Sequence, residues 1–185
     1  GLPTLRSRLS KEPDSHEAWL RALKSATEGL KTWHAPARKA MEEAMPRASD
    51  EAVSHVSHGL RFVPCEVVTN SSMPADLRSW FHDHRLEGVL QHQSRSHMRS
   101  DLHRYMFAAC FAATQKYAPG LRNFPPKLLP DHVNVDEETI PFKDRFRVQL
   151  GKFPSSTVVA HIKKDGHYYI HPDPAQCRSL TAREA

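Results

Sequence analysis

Glycine is scarce in these 185 residues, and where it stands excludes a good deal. The seven glycines lie at 1, 29, 59, 88, 120, 151 and 166. That is too scattered for Gly-x-Gly-x-x-Gly or a Walker loop, so no backbone segment is shaped to approach a pyrophosphate. Nucleotide and S-adenosylmethionine sites of the usual glycine-rich kind are therefore not expected. Cysteine is equally sparse. Cys65, Cys110 and Cys177 are odd in number and far apart, and no Cys-x-x-Cys occurs, so neither a disulfide framework nor a thiolate zinc site is implied. A reducing, cytoplasmic setting is expected. Long apolar runs are missing too. The longest, Met106 to Ala113, has eight residues, far fewer than the roughly 20 a membrane span needs. Leu2 to Arg8 leads into charged residues rather than an apolar segment, so neither a signal peptide nor a membrane partner is expected.

What is present fits a globular chain of one domain: 39% hydrophobic and 25% charged residues. Lysine and arginine number 26 against 21 aspartate and glutamate, for a net charge of +5 and a pI near 9.2. This balance favours a polyanionic partner without selecting one.

The course of the chain predicts an α+β fold: a helix-rich N-terminal two thirds and a small antiparallel β region at the C-terminal end. Asp14 with Glu17 reads as a capping box. Trp19, Leu20, Leu23, Thr27, Leu30 and Trp33 follow at helical spacing until Pro36. A second helix is expected over 37–45, stopped by Pro46, and a third over 50–61. Pro74 and Asp76 mark another start, with Leu77, Trp80, Phe81, His84 and Val89 inward. The clearest helix runs from Met98 to Tyr117 and ends at Pro119-Gly120. From Leu121 onward prolines multiply, which favours loops. Three strand-like runs remain there: 146–150, 157–162 and 167–171. The Asp165-Gly166 turn predicts that the last two pair as a hairpin.

Two stretches are basic enough to carry a function. Residues 78–104 hold five arginines and five histidines, with Gln91, Gln93 and Ser94 among them. Arginine and glutamine reach base edges bidentately, and serine and arginine hold phosphates; a mixed solvated face would look much the same. In the second stretch Lys143, Arg145, Arg147, Lys152, Lys163 and Lys164 face only Asp144 over 143–164, a suitable edge for a phosphate backbone. The histidines lack the i, i+4 spacing of a helical zinc pair, so no metal is expected. Cys65 in the Pro64-Cys65 pair has apolar and acidic neighbours, unlike an activated thiolate, and reads as an ordinary buried cysteine. No catalytic residue is assigned.

The last nine residues, Cys177 to Ala185, carry a specific signal. Arg178-x-Leu180-Thr181-x-Arg183-Glu184-Ala185 resembles the first half of the ninth conserved motif of DNA (cytosine-5) methyltransferases. Lys164-Asp165-Gly166-His167-Tyr168-Tyr169-Ile170-His171-Pro172 resembles the segment that some bacterial members place just before it. Pro154-x-x-Thr157-Val158 resembles the family's proline-then-Thr-Leu element. Leu2-Pro3-x-Leu5-Arg6 resembles the exit from the eighth motif.

The resemblance implies a target-recognition domain separated from its catalytic lobe. It divides the chain into a connector (1–13), a helical part (14–120), a loop and hairpin part (121–176) and a truncated ninth motif (177–185). It implies double-stranded DNA and the catalytic lobe as partners. The chain itself would hold no cofactor, since the parent's S-adenosylmethionine would bind the other lobe, and would transfer no methyl group alone. Thr157 and Val158 would touch DNA, joined on the basic stretches by Arg95, Arg99, Arg145, Arg147, Lys163 and Lys164. Arg178, Arg183 and Glu184 would serve the lobe interface. The alternative is a helical protein-interaction module without DNA binding, using the apolar faces of 19–33 and 102–117. A third option is a histidine-dependent nuclease, which needs a metal.

Overall fold

A computed structural model of the chain describes residues 4–29, 35–48, 58–65, 72–130, 145–158, 160–164 and 166–185. The fold is α+β, as expected. Three helices form the core: α1 (His16–Gly29), α2 (Ala35–Ala48) and α4 (Arg99–Gln115), with a short α3 (Ala75–Phe81) apart from them. A two-residue parallel ladder joins β1 (Arg8–Leu9) to β4 (Ser96–His97), and β2 (Gly59–Pro64) pairs antiparallel with β3 (Gly88–Gln93).

Helix α1 starts one residue later than the Asp14 reading. Ser15 caps it, its hydroxyl accepting the Ala18 N–H at 3.1 Å, a contact worth about 1 kcal/mol. Asp14 instead receives Arg6 at 2.7 Å. Helix α2 runs past Pro46 to Ala48. Proline costs a helix one hydrogen bond and a clash with the preceding turn, yet burial of Ala37, Met41 and Ala44 keeps the final turn in place. Trp33 and Leu30, and most of the third expected helix, lie outside the described residues. Where that helix is described it is wrong, because residues 59–61 belong to β2.

Helix α4 is the centre of the molecule. Leu102, Tyr105, Met106, Phe107 and Cys110 are fully buried, with Ala108, Ala109 and Ala112 nearly so, so the helix is enclosed on all sides from Tyr105 to Ala112 rather than amphipathic. Ala108, Ala109 and Ala112 keep its neighbours close. It ends before Pro119-Gly120, at Lys116, which adopts a left-handed conformation (φ 65°) with its N–H on the Ala112 carbonyl. Trp19, Leu23 and Met41 pack in the same core. The faces of 19–33 and 102–117 offered as partner surfaces are, at Trp19, Leu23, Leu102, Tyr105 and Met106, interior.

The β2–β3 ladder shows how a strand departs from strict alternation. Val63 and Val89 pair and are buried, while Leu60, Phe62 and Leu90 face outward. His92 shares Leu90's parity yet is fully buried. Gln91 between them has φ 58°, a left-handed conformation that rotates the strand and turns His92 inward.

The C-terminal third is the clearest correction. Among the described residues no hairpin joins 157–162 to 167–171: Ala160–Lys163 is a 3-10 turn, and Val159 and Asp165 lie outside them. Residues 167–171 instead sit between two other segments, with Val148 bridging Ile170 in parallel and Ile170 bridging Ser179 in antiparallel. Local turn chemistry loses here to tertiary fit. Gly166 (φ 72°) lies so near Ser179 that a Cβ would meet its side chain at 2.7 Å. The glycine serves a close approach rather than a turn. A run of rings then ties this layer to α4: Phe107 to Phe124 (4.9 Å), Phe124 to Phe146 (5.3 Å) and Phe146 to His167 (4.9 Å). Each such pair adds about 0.5–1.5 kcal/mol beyond area burial.

Candidate functional site

Residues 177–181 are threaded into the body of the fold rather than lying on it. Cys177 begins the segment at φ 44°, a conformation costing a non-glycine residue about 1–2 kcal/mol. Two contacts hold it: the Ser7 hydroxyl donates to its carbonyl at 2.6 Å, and its own thiol reaches the Leu102 carbonyl at 3.0 Å. Burial pushes the Cys177 and Cys110 thiols well above the ordinary range, so neither is a nucleophile. Cys65, expected to be buried, is partly exposed.

Arg178 has no exposed surface. Its guanidinium donates to both Glu184 oxygens at 2.6 and 2.7 Å, twice to the Gln176 side-chain oxygen at 3.1 and 2.6 Å, and to the Ser179 carbonyl at 3.0 Å. Every face of the fork is used, which is the condition for burying this charge. Glu184 also accepts the Thr181 N–H at 2.9 Å, while its own N–H donates to the Thr181 hydroxyl at 3.3 Å. Burial opposes the Glu184 charge, but the Arg178 hydrogen bonds and charge, the Thr181 N–H and the nearby His171 outweigh it. Its carboxyl is held down to about 2. His171, 3.8 Å from Glu184, is lowered to about 4, first by burial and then by the Arg178 charge.

The same segment is clamped from outside. His92 Nδ1 lies 3.2 Å from the Thr181 hydroxyl and His97 Nε2 lies 3.2 Å from the Ser179 hydroxyl. The Tyr105 hydroxyl bridges His97 Nδ1 (3.3 Å) and His167 Nδ1 (2.8 Å). Two of the five histidines in the 78–104 stretch, His92 and His97, thus position the C-terminal segment through hydroxyls. Among the described residues no group of three metal-ligating side chains forms, nor is any helix long and apolar enough to cross a membrane.

The residues expected at a lobe interface divide accordingly. Arg178 and Glu184 face each other inside the fold, whereas Arg183 is exposed. The Arg183 N–H donates to the Gln91 carbonyl at 3.3 Å, and its side chain lines a shallow pocket with Trp80, His82, Leu86 and Leu90. Trp80 there is 87% exposed.

The residues expected at DNA are partly brought together. The Arg95 guanidinium donates to the Lys164 carbonyl at 2.9 Å, so the loop between β3 and β4 meets the end of the 3-10 turn that carries Lys163. The backbone of Arg147 bonds His167 and Ile170, which sets Arg147 beside the residues that follow that turn. Lys163, Lys164 and Arg147 are exposed and Arg145 is half-buried. Thr157 and Val158 are exposed, and the Thr157 carbonyl accepts the Tyr169 hydroxyl at 3.1 Å. Arg99 is drawn elsewhere, into a pair with Glu12 at 2.9 Å.

A second feature was not foreseen. Between the end of α4 and residues 147–156 lies an open groove of about 340 Å³, lined by Lys116, Tyr117, Arg147, Gln149, Phe153 and Ser156, among others. Its aromatic walls come from segments about 36 residues apart, joined only by the fold. No spacing rule would have found them.

No family model matches the chain, and no solved structure matches it. Among curated proteins, the Type II methyltransferase M.Bpa9945I of Bacillus paralicheniformis is 54% identical over 57 residues. Those residues are 31% of this chain and 13% of that protein, so the matched stretch spans a small part of the relative's length. Over that stretch, the chain is similar to part of a methyltransferase.

Proposed function

We propose that the chain is a DNA sequence-recognition lobe of a cytosine-5 methyltransferase, and that it works on duplex DNA alongside a catalytic lobe. The observation that carries this is the Arg95–Lys164 contact. It joins two basic segments that are 69 residues apart in sequence. In this reading Lys163 and the exposed Arg147, whose backbone is tied to His167 and Ile170, extend the contact surface together with Arg145, Thr157 and Val158. Support also comes from the similarity to a methyltransferase and from the ninth-motif resemblance.

In this reading the surface lies along the phosphate backbone and presents arginine to the major groove, where base pairs are distinguishable. Extrusion of the target base, which is unreachable inside the stack, and methyl transfer from S-adenosylmethionine belong to the other lobe. Arg183 and the exposed Trp80 pocket would face that lobe.

Titration of labelled duplex DNA with the full chain tests this. Binding is expected at low salt and should weaken linearly in log–log form as salt rises. Replacing Lys163 and Lys164 together by alanine should flatten that slope by about one for each phosphate these lysines neutralise. Binding that is absent at low salt, or indifferent to salt, would refute the proposal. Methyl incorporation into DNA by the chain alone would refute the division of labour.

A further inference from the structure

We infer that the groove between the end of α4 and residues 147–156 is a binding site for an unpaired nucleotide, its base stacked between Tyr117 and Phe153 and its phosphate on the Arg147 side. This goes beyond duplex recognition and shares only Arg147 with it.

The aromatic walls are unusually open. Phe153 is 63% exposed and Tyr117 is 52% exposed, yet each is anchored, Tyr117 at its ring and Phe153 at its backbone. Tyr117 is braced edge-on by Phe111 at 5.4 Å. The Phe153 backbone is fixed by its N–H on the Leu150 carbonyl at 3.1 Å. Rings that are held but uncovered provide stacking surface with little ordering cost.

The charge is of one sign. Lys116 and Arg147 line the groove and exposed Lys152 adjoins Phe153, while no acidic side chain among the described residues lines it. Polarity within the groove is set by α4. Its C-terminal end carries partial negative charge, and the Lys116 ammonium already donates to the Ala113 carbonyl at 2.6 Å. The Lys116 ammonium is thus committed to the helix end, whose remaining carbonyls accept the N–H groups of a base. The phosphate therefore belongs on the opposite side, at Arg147 and Lys152. A volume of about 340 Å³ lies within the usual range of small-ligand sites. Stacked aromatics beside cations are the general means of holding single-stranded nucleic acid without reading its sequence.

The test uses the full chain and two fluorescent pentanucleotides with the same charge, one of thymidine and one of abasic sugar. The thymidine strand should bind at least about fivefold more tightly, the lower end of what one stacked base supplies. Phe153→Ala and Tyr117→Ala should each abolish that preference, and Phe153→Trp should keep it. Phe153 is mostly in solvent, so its replacements leave the core intact. Equal binding of the two strands, or a preference that survives Phe153→Ala, would overturn the inference. Duplex titration separates the two proposals. Loss of duplex binding with the thymidine preference intact would sink duplex recognition alone. Duplex binding with no thymidine preference would sink the groove alone.

Discussion

Replacing Glu184 by glutamine should cost more stability than its position near the surface suggests. The amide keeps the size of the carboxylate but leaves the Arg178 guanidinium, fully buried, without a counter-charge, and turns an NH2 toward it. Two routes give the magnitude. The carboxyl falls from its ordinary 4.5 to about 2, and at about 1.4 kcal/mol per pH unit this is about 3 kcal/mol. Removing one partner of a buried pair independently costs about 3–5 kcal/mol. Both point to about 3 kcal/mol, a fall in melting temperature of roughly 10 °C for a chain of this size. Thermal and urea unfolding of the two proteins at pH 7 measure it. Replacing Arg178 and Glu184 together by apolar residues of similar volume should recover much of the deficit. A change under about 1 kcal/mol in the single variant would refute the claim that this pair is effectively desolvated.

Acid should destabilise the fold in two steps. His171 resists protonation when folded, with its ordinary 6.5 lowered to about 4. Between those values the unfolded chain binds the extra proton, so stability falls as pH drops from 6.5 toward 4. Glu184 has the same sign lower down. Its contribution is whole above 4.5 and lost as pH falls toward 2. Denaturant midpoints measured from pH 7 to pH 3 should decline throughout, and His171→Gln should remove the upper part of the decline. A flat profile between pH 6.5 and 4.5 would contradict the burial of that ring. Gly166→Ala, at φ 72° and against Ser179, should cost at least about 1–2 kcal/mol, read by the same unfolding assay, and unchanged stability would mean that the approach of 166 to 179 is not this close.

The helices were legible where apolar spacing and burial agree. Trp19 and Leu23 in α1, and Leu102, Tyr105 and Met106 in α4, are core residues by pattern and by structure. Pro46 misled because a helix stop is a local cost that packing of Met41 and Ala44 can override. Strand β2 was missed because its face carrying Leu60 and Phe62 is exposed, and apolar residues on an open face give no clean alternation. The Gly166 signal was genuine but ambiguous. Glycine marks a tight place, and sequence cannot say whether the neighbour is the next strand or a side chain from residue 179. The site was legible only in part. Arg95 and Lys164 stood on separate basic stretches, and only the fold joins them. The inward turn of Arg178 could not be read, because the resemblance that picked it out says where a motif stands and not which way a side chain points. The Tyr117–Phe153 groove had no local pattern at all.

The hydroxyl of Ser7 reaches the carbonyl of Cys177 across 170 positions of chain. During synthesis the helices can collapse early, but the interior stays open until the residues around 178 have left the ribosome. Until then His92 and His97 lack the Thr181 and Ser179 hydroxyls that they meet in the finished fold. Closure of this protein therefore waits on contacts between residues far apart in sequence, and the interval before they form is when the chain is most exposed to aggregation and proteolysis.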